Sequence, residues 1–84
     1  MFMKAFPNPF SNQCTLVLKL EHPSEVKAQL FDLQGKLAFQ QTAVMQEAGE
    51  HHLDLYPLDL DEGTYILRLQ TNEGISSNML NYRP

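Results

Sequence analysis

The sequence predicts an all-β protein, a small antiparallel immunoglobulin-like β-sandwich of about seven strands. Three observations support this class. Short runs alternate apolar and polar residues, turn-forming residues separate the runs roughly every 8–12 positions, and no segment carries a convincing helical pattern. The chain of 84 residues is expected to form one domain over residues 1–84. The cysteine and tryptophan core of antibody domains is absent, because the chain has no tryptophan and one cysteine, Cys14.

The alternating runs define the strands. The predicted strands cover residues 2–6, 15–20, 25–31, 36–42, 50–55, 64–71 and 75–81. The first is expected to be an edge strand that stops at Pro7, since proline has no amide donor. The prolines also push the residues before them into extended conformations, so residues 7–10 cannot be helical. In the second strand the leucines at alternate positions share one face, and they are Leu16, Leu18 and Leu20.

The clearest hairpin joins the third and fourth predicted strands. The side chains expected to face inward from these two strands are Val26, Ala28, Leu30, Leu37 and Phe39. Residues 32–35 between them have the pattern of a β-turn, with Asp32 at the first position and Gly35 at the fourth.

The segments around this hairpin are less regular. Residues 43–48 have some helix propensity but are too few to nucleate a helix, so we expect a strand end and a loop closed by Gly49. In the last predicted strand, Ile75, Ser77 and Met79 lie on one side and Leu80 lies on the other.

The most apolar strand, residues 64–71, is predicted to be central, with Tyr65, Leu67 and Leu69 on its buried face. Gly63 follows two acidic residues, at a turn that needs a residue free to take positive φ. Tyrosine at such a corner of a sandwich buries its ring and returns its hydroxyl to the backbone just upstream. We therefore expect Tyr65 to lock this corner.

Composition excludes several classes of function. The net charge is -4 and the six basic residues are scattered singly, which argues against nucleic-acid partners and against a polybasic membrane anchor. No apolar run is long enough for a transmembrane helix, and the N-terminus lacks the apolar stretch of a secretory signal. Cys14 is expected to be a buried, small apolar residue.

No catalytic or cofactor motif is found in the sequence. The serines lie in turn-like segments without a nucleophile elbow, the glycines are singletons, and so small a sandwich leaves little room for a cleft that binds a small-molecule substrate. His51 and His52 are adjacent in a predicted strand and leave on opposite faces, so they cannot share a metal ion. One alternative stays open, namely a calcium site built from Asp54, Asp59, Asp61 and Glu62.

Three motifs occur in order along the chain. They are FPNPF at residues 6–10, LFDLQGKL at residues 30–37 and LDLDEGTYILRLQT at residues 58–71. In this order they resemble the C-terminal sorting domain of the type IX secretion system, a family found on exported proteins of Bacteroidetes. The recognition or motif positions implied by the resemblance are Pro7, Asn8, Pro9, Phe10, Asp32, Gly35, Gly63, Tyr65, Arg68, Met79 and Leu80. Asn78 departs from the family, which usually has a lysine there.

The resemblance implies a targeting role without catalysis or cofactor. It implies an upstream passenger in the same precursor, transit through the periplasm, recognition by an outer-membrane translocon and removal by a sortase-like cysteine peptidase. The passenger would end on the cell surface, often attached to lipopolysaccharide, or be secreted. An unpaired edge at the final strand would offer backbone donors and acceptors for strand addition.

Two further expectations concern the end of the chain and the rival function. Residues 79–84 are expected to end the last strand or trail beyond it, and to contribute less to stability than the central strand. The alternative function is an immunoglobulin-like or fibronectin-like binding or spacer module of a surface protein, which would share the same fold.

Overall fold

The structure, a computed structural model, describes residues 2–45 and 47–84. These residues form seven strands and no helix. The strands are β1 (Phe2–Phe6), β2 (Cys14–Leu20), β3 (Ser24–Phe31), β4 (Leu37–Met45), β5 (Gly49–Leu55), β6 (Gly63–Thr71) and β7 (Gly74–Tyr82). The described part of the chain accordingly offers no long apolar helix that could cross a membrane. The prediction of an all-β sandwich of about seven strands is confirmed.

The strands form two antiparallel sheets. One sheet has three strands in the order β1-β2-β5, and the other has four in the order β4-β3-β6-β7. The most apolar strand, β6, lies between β3 and β7, so its predicted central position is confirmed. The edges of the four-stranded sheet are β4 and β7, and this places the last strand of the chain at an edge.

The core lies between the sheets and follows the period of two predicted from the sequence. Leucines at alternate positions supply most of it, because each strand buries one face and exposes the other. The buried core cluster contains Phe10, Cys14, Leu16, Leu18, Leu20, Val26, Ala28, Leu30, Leu53, Leu55, Tyr65, Leu67, Leu69 and Leu80. In β7 the predicted alternation is also confirmed, since Leu80 is buried while Ile75 and Met79 are exposed.

Leu37 does not face inward as predicted. Leu30 pairs with Phe39, whereas the next residue of β3, Phe31, pairs with Leu37, so the ladder contains a bulge at Ala38. A bulge places two residues of one strand opposite one of its partner and reverses the alternation beyond it. Leu37 therefore lies on the outer face with 45% of its surface exposed, while Phe39 still packs against the core.

Strand β4 also extends further than predicted, to Met45. One side chain of β4 joins the two sheets, since Nε2 of Gln41 donates a hydrogen bond to the carbonyl oxygen of Asp54 in β5 (3.3 Å). The loop predicted over residues 43–48 includes Gln46, which lies outside the described residues.

Candidate recognition surface at the final strand

The corner before β6 is locked as the sequence predicts. Tyr65 is buried, with 6% of its surface exposed, and its hydroxyl donates a hydrogen bond to the carbonyl oxygen of Asp61 (2.7 Å). Burial raises the pKa of Tyr65, and the negative charge of Asp61 raises it further. The phenol therefore stays neutral and keeps its hydrogen bond throughout the physiological pH range.

Gly63 has the positive φ that was predicted, at +156°. This is not the left-handed turn conformation, because Gly63 already pairs with Tyr82 as the first residue of β6. The left-handed residue of the loop is Asp59, with φ of +60°. Gly63 therefore begins the strand in a conformation that L residues rarely adopt, after Asp59 has bent the chain.

The turn between β3 and β4 is built around Asp32. The N–H of Gly35 donates to the carbonyl oxygen of Asp32 (3.0 Å), which closes the predicted β-turn. The carboxylate of Asp32 accepts from the N–H groups of Gln34 and Lys36, both at 2.9 Å. Gly35 takes φ of +86°, as the residue after such a turn requires. Asp32 and Gly35 thus have structural roles in this turn.

The N-terminal motif holds the edge of the last strand. Oδ1 of Asn8 accepts a hydrogen bond from the N–H of Asn81 (2.9 Å), and its Nδ2 lies 3.5 Å from the carbonyl oxygen of Met79. Phe10 continues the contact as a parallel bridge to Tyr82: its N–H donates to Asn81, and its carbonyl oxygen accepts from Arg83, both at 2.9 Å. We call residues 7–10 the clamp, because they cover the outer edge of β7 from residue 79 to residue 83.

The side chain of Phe10 anchors the clamp in the core. It is 1% exposed, and its ring lies 5.3 Å from the ring of Tyr82, in a tilted arrangement. Such a pair of aromatic rings contributes more stability than the burial of their apolar surface alone would give. Pro7 and Pro9 are exposed, and each follows a cis peptide bond.

The clamp bears on two expectations about the end of the chain. The edge of β7 is free only beyond the clamp, over its first half, whereas the sequence suggested an edge that is open along its length. Of the two outcomes expected for residues 79–84, the first is found, since β7 runs to Tyr82, Leu80 is 2% exposed in the core and Tyr82 packs on Phe10.

An open groove of about 450 Å³ lies on the outer face of the four-stranded sheet. Its lining residues come from β3, β6, β7 and the Asp32 turn, and they are Phe31, Asp32, Leu33, Gly35, Ile66, Arg68 and Ser77. Arg68 pairs with Ser77 across the ladder and with Gln29 on its other side. Within residues 2–45 and 47–84 no acidic side chain forms an ion pair with Arg68.

The structure therefore divides the predicted recognition residues between three places. Asp32, Gly35 and Arg68 line the outer groove. The clamp residues lie beside Met79 at the edge of β7, and Phe10 shares the buried core with Leu80, which brings the two ends of the chain together in a way that no local pattern indicates. Gly63 and Tyr65 form the corner before β6.

The four acidic residues considered for calcium are not gathered into a site. Among the described residues no three histidine, cysteine, aspartate or glutamate side chains are close enough together to hold a metal ion. Asp54 instead accepts a hydrogen bond from the hydroxyl of Thr15 (2.8 Å), and the backbone of Asp61 holds Tyr65. The structure thus does not support the calcium alternative.

Comparison with known proteins identifies the family of this chain. No curated protein matches the chain. Residues 4–80 match the protein family described as "Secretion system C-terminal sorting domain", which covers nearly the whole chain and all three motifs. The chain belongs to the family of C-terminal sorting domains of type IX secretion, which are generally non-catalytic signals for export to the cell surface or beyond.

Proposed function

We propose that this domain closes a longer exported precursor and that an outer-membrane translocon reads it as a folded unit. The passenger is joined upstream of residue 1, passes through the periplasm and is released when a sortase-like cysteine peptidase removes the domain. Family membership over residues 4–80 supports the sorting role, and the receptor and peptidase steps are inferred from it.

One observation carries the proposal, namely that the clamp fastens the N-terminal motif to the last strand. The segment that connects to a passenger and the C-terminal segment are thereby parts of one surface. A receptor that binds this surface contacts both ends of the domain, so it can recognise the folded state rather than a linear peptide. This suits a signal that must be read after the domain has folded in the periplasm.

A fusion experiment tests the function. A periplasmic reporter placed upstream of residues 1–84 should reach the cell surface in a host with type IX secretion, and it should stay in the periplasm of an isogenic host without the translocon. In a host whose sortase-like peptidase is inactive, the fusion should accumulate uncleaved. Equal surface exposure with and without the translocon, or retention in several competent hosts, would instead favour the spacer-module alternative.

A further inference from the structure

We propose that the uncovered half of the β7 edge, from Ile75 to the N–H of Met79, is a docking site for an extended peptide strand of the export machinery that carries an acidic residue opposite Ser77. The proposal rests on the proposed function, since a sorting signal needs a surface that a receptor binds. It adds the mode of binding and the chemistry of the partner.

The backbone of this half-strand has hydrogen-bonding groups that point outward. Both the N–H and the carbonyl oxygen of Asn81 bond to the clamp, so this residue directs its backbone away from β6. In an antiparallel ladder this orientation repeats every second residue, which places the groups of Met79, Ser77 and Ile75 on the same edge. Within the described residues, β1 passes near β7 without a backbone hydrogen bond to it, and Ile75 and Ser77 have no partner on this edge.

The uncovered half of β7 is also less protected than the other three edges. Exposed edges are usually blocked by charged residues, proline or bulges. Strand β1 has Lys4 at its centre, β5 carries Glu50 and Asp54, and β4 has the bulge and the link through Gln41. Strand β7 has no charged residue, no proline and an unbroken register with β6 from one end to the other.

The chemistry of the partner follows from the outer face. Ile75 and Met79 are exposed on either side of Ser77, so the partner strand should present apolar side chains opposite them. Arg68 faces Ser77 in a closely spaced pair of the β6–β7 ladder and forms no ion pair with an acidic side chain in the described part of the chain. A residue added opposite Ser77 would have its Cα about 10 Å from that of Arg68, a distance that an arginine and a glutamate side chain can span over the small serine.

The same charge argues against a second copy of this chain as the occupant. Antiparallel pairing of two β7 strands about Ser77 would direct two Arg68 guanidinium groups toward each other across the joined sheet. Like charges in such an arrangement oppose pairing, whereas a carboxylate on a foreign strand is attracted.

A peptide titration of the 84-residue chain tests the proposal. The probe is the acetylated and amidated heptapeptide Thr-Val-Thr-Glu-Thr-Val-Thr, and the control peptide has lysine in place of glutamate. Amide NMR spectra should shift most at Ile75, Ser77 and Met79. The glutamate peptide should bind roughly three- to ten-fold more tightly than the lysine peptide, the range expected when one exposed charge pair changes from attraction to repulsion.

Two variants separate docking from simple attraction to the domain. Arg68→Glu should reverse the preference between the peptides, whereas Lys27→Glu makes the same charge change on β3 and should preserve it. Ser77→Pro removes an N–H that points outward and makes no hydrogen bond to β6. The substitution should therefore abolish binding of both peptides while the melting curve of the domain stays cooperative.

Several results would overturn the proposal. They are no shift at the highest soluble peptide concentration, shifts centred on the Leu33 groove or on β4, equal binding of the two peptides, and self-association that Ser77→Pro removes. None of these measurements depends on export, so docking can fail while the reporter fusion still reaches the surface. Docking can equally succeed while the fusion stays in the periplasm.

Discussion

The side-chain oxygen of Asn8 accepts a hydrogen bond from the backbone N–H of Asn81 across 73 positions of sequence, at 2.9 Å. With Phe10 packed beside Tyr82, this contact joins the first motif and the last strand of the domain into one structure. Damage at either end should therefore be measurable at the other.

The first prediction concerns this contact. Asn8→Ala leaves the N–H of Asn81 to water and should lower the free energy of unfolding by about 0.5–1.5 kcal/mol. Asn12→Ala changes an exposed asparagine of the following loop and should stay within about 0.5 kcal/mol of the wild type. Urea unfolding of the three proteins measures both values. Equal stability of the two variants would show that the Asn8 contact adds nothing to the stability of the fold.

The second prediction concerns the corner. Tyr65→Phe leaves the carbonyl oxygen of Asp61 without its hydroxyl donor and should cost about 1–2 kcal/mol. Tyr65→Ala also empties a buried ring site and should cost about 3–5 kcal/mol, enough to unfold a domain this small. Tyr56→Phe is the control, since Tyr56 is exposed. Thermal melting ranks the stabilities of the variants. A Tyr65→Ala protein with the melting temperature of the wild type would refute the role of Tyr65 in stabilising the corner.

The third prediction uses two glycines with different backbone conformations. Gly35 has φ of +86°, near the left-handed region that asparagine tolerates, so Gly35→Asn should cost less than about 1 kcal/mol. Gly63 has φ of +156°, in a region populated almost only by glycine, so Gly63→Asn should cost about 1–3 kcal/mol. No atom crowds either position, so the difference reports the backbone. Equal melting temperatures for the two variants would contradict it.

The fourth prediction concerns alkaline pH. Burial raises the pKa of Cys14 from 9.0 to about 11, although a backbone hydrogen bond with Phe6 opposes the rise. Because the unfolded chain then loses the thiol proton first, stability is complete below about pH 9 and falls as the pH approaches 11, by about 2–3 kcal/mol. The raised pKa of Tyr65 adds a loss in the same direction above about pH 10.

Urea unfolding at neutral pH and at about pH 10.5 measures this loss. Cys14→Ala is the matched variant, and the comparison is of the change with pH rather than of absolute stability, since the variant also leaves a small cavity. If Cys14→Ala loses as much stability between the two pH values as the wild type, the thiol of Cys14 has the same protonation in the folded and unfolded states, and the prediction is wrong.

The sequence pattern predicts those features of the fold that depend only on residues within one strand or one turn. The alternation in β2, β3 and β6 identifies the buried leucines, and the glycine followed by Tyr65 identifies the corner, because both signals depend on neighbours in sequence. The prediction that Leu37 faces inward is wrong, because its orientation depends on the bulge at Ala38, and a bulge arises from the pairing of two strands.

The recognition surface is less accessible to the same reasoning. Phe10 and Asn8 belong to a motif that is visible in the sequence, but their partners Tyr82 and Asn81 lie at the opposite end of the chain. Contacts of such long range follow from how the two sheets close on each other, and no short-range period encodes them. The clamp and the half-covered edge of β7 therefore emerge only from the three-dimensional structure.

The last prediction separates folding from recognition at the end of the chain. Removal of residues 79–84 is a poor test, because it takes Leu80 from the core and Tyr82 from Phe10, and we expect the shortened domain to lose cooperative melting.

Met79 is better suited, since it is 61% exposed on the outer face of β7. Met79→Asp should melt within a few degrees of the wild type, as surface substitutions usually do. If the receptor binds this edge, however, the charge would be buried without a partner, and the reporter fusion should remain in the periplasm. Leu58→Asp is the control, because it places the same charge on an exposed leucine that lies in the loop before β6 and not in β7. Cell fractionation together with circular dichroism melting reports both properties for each variant. Surface exposure of the Met79→Asp fusion at the level of the Leu58→Asp fusion would show that the export machinery does not read this edge of the domain.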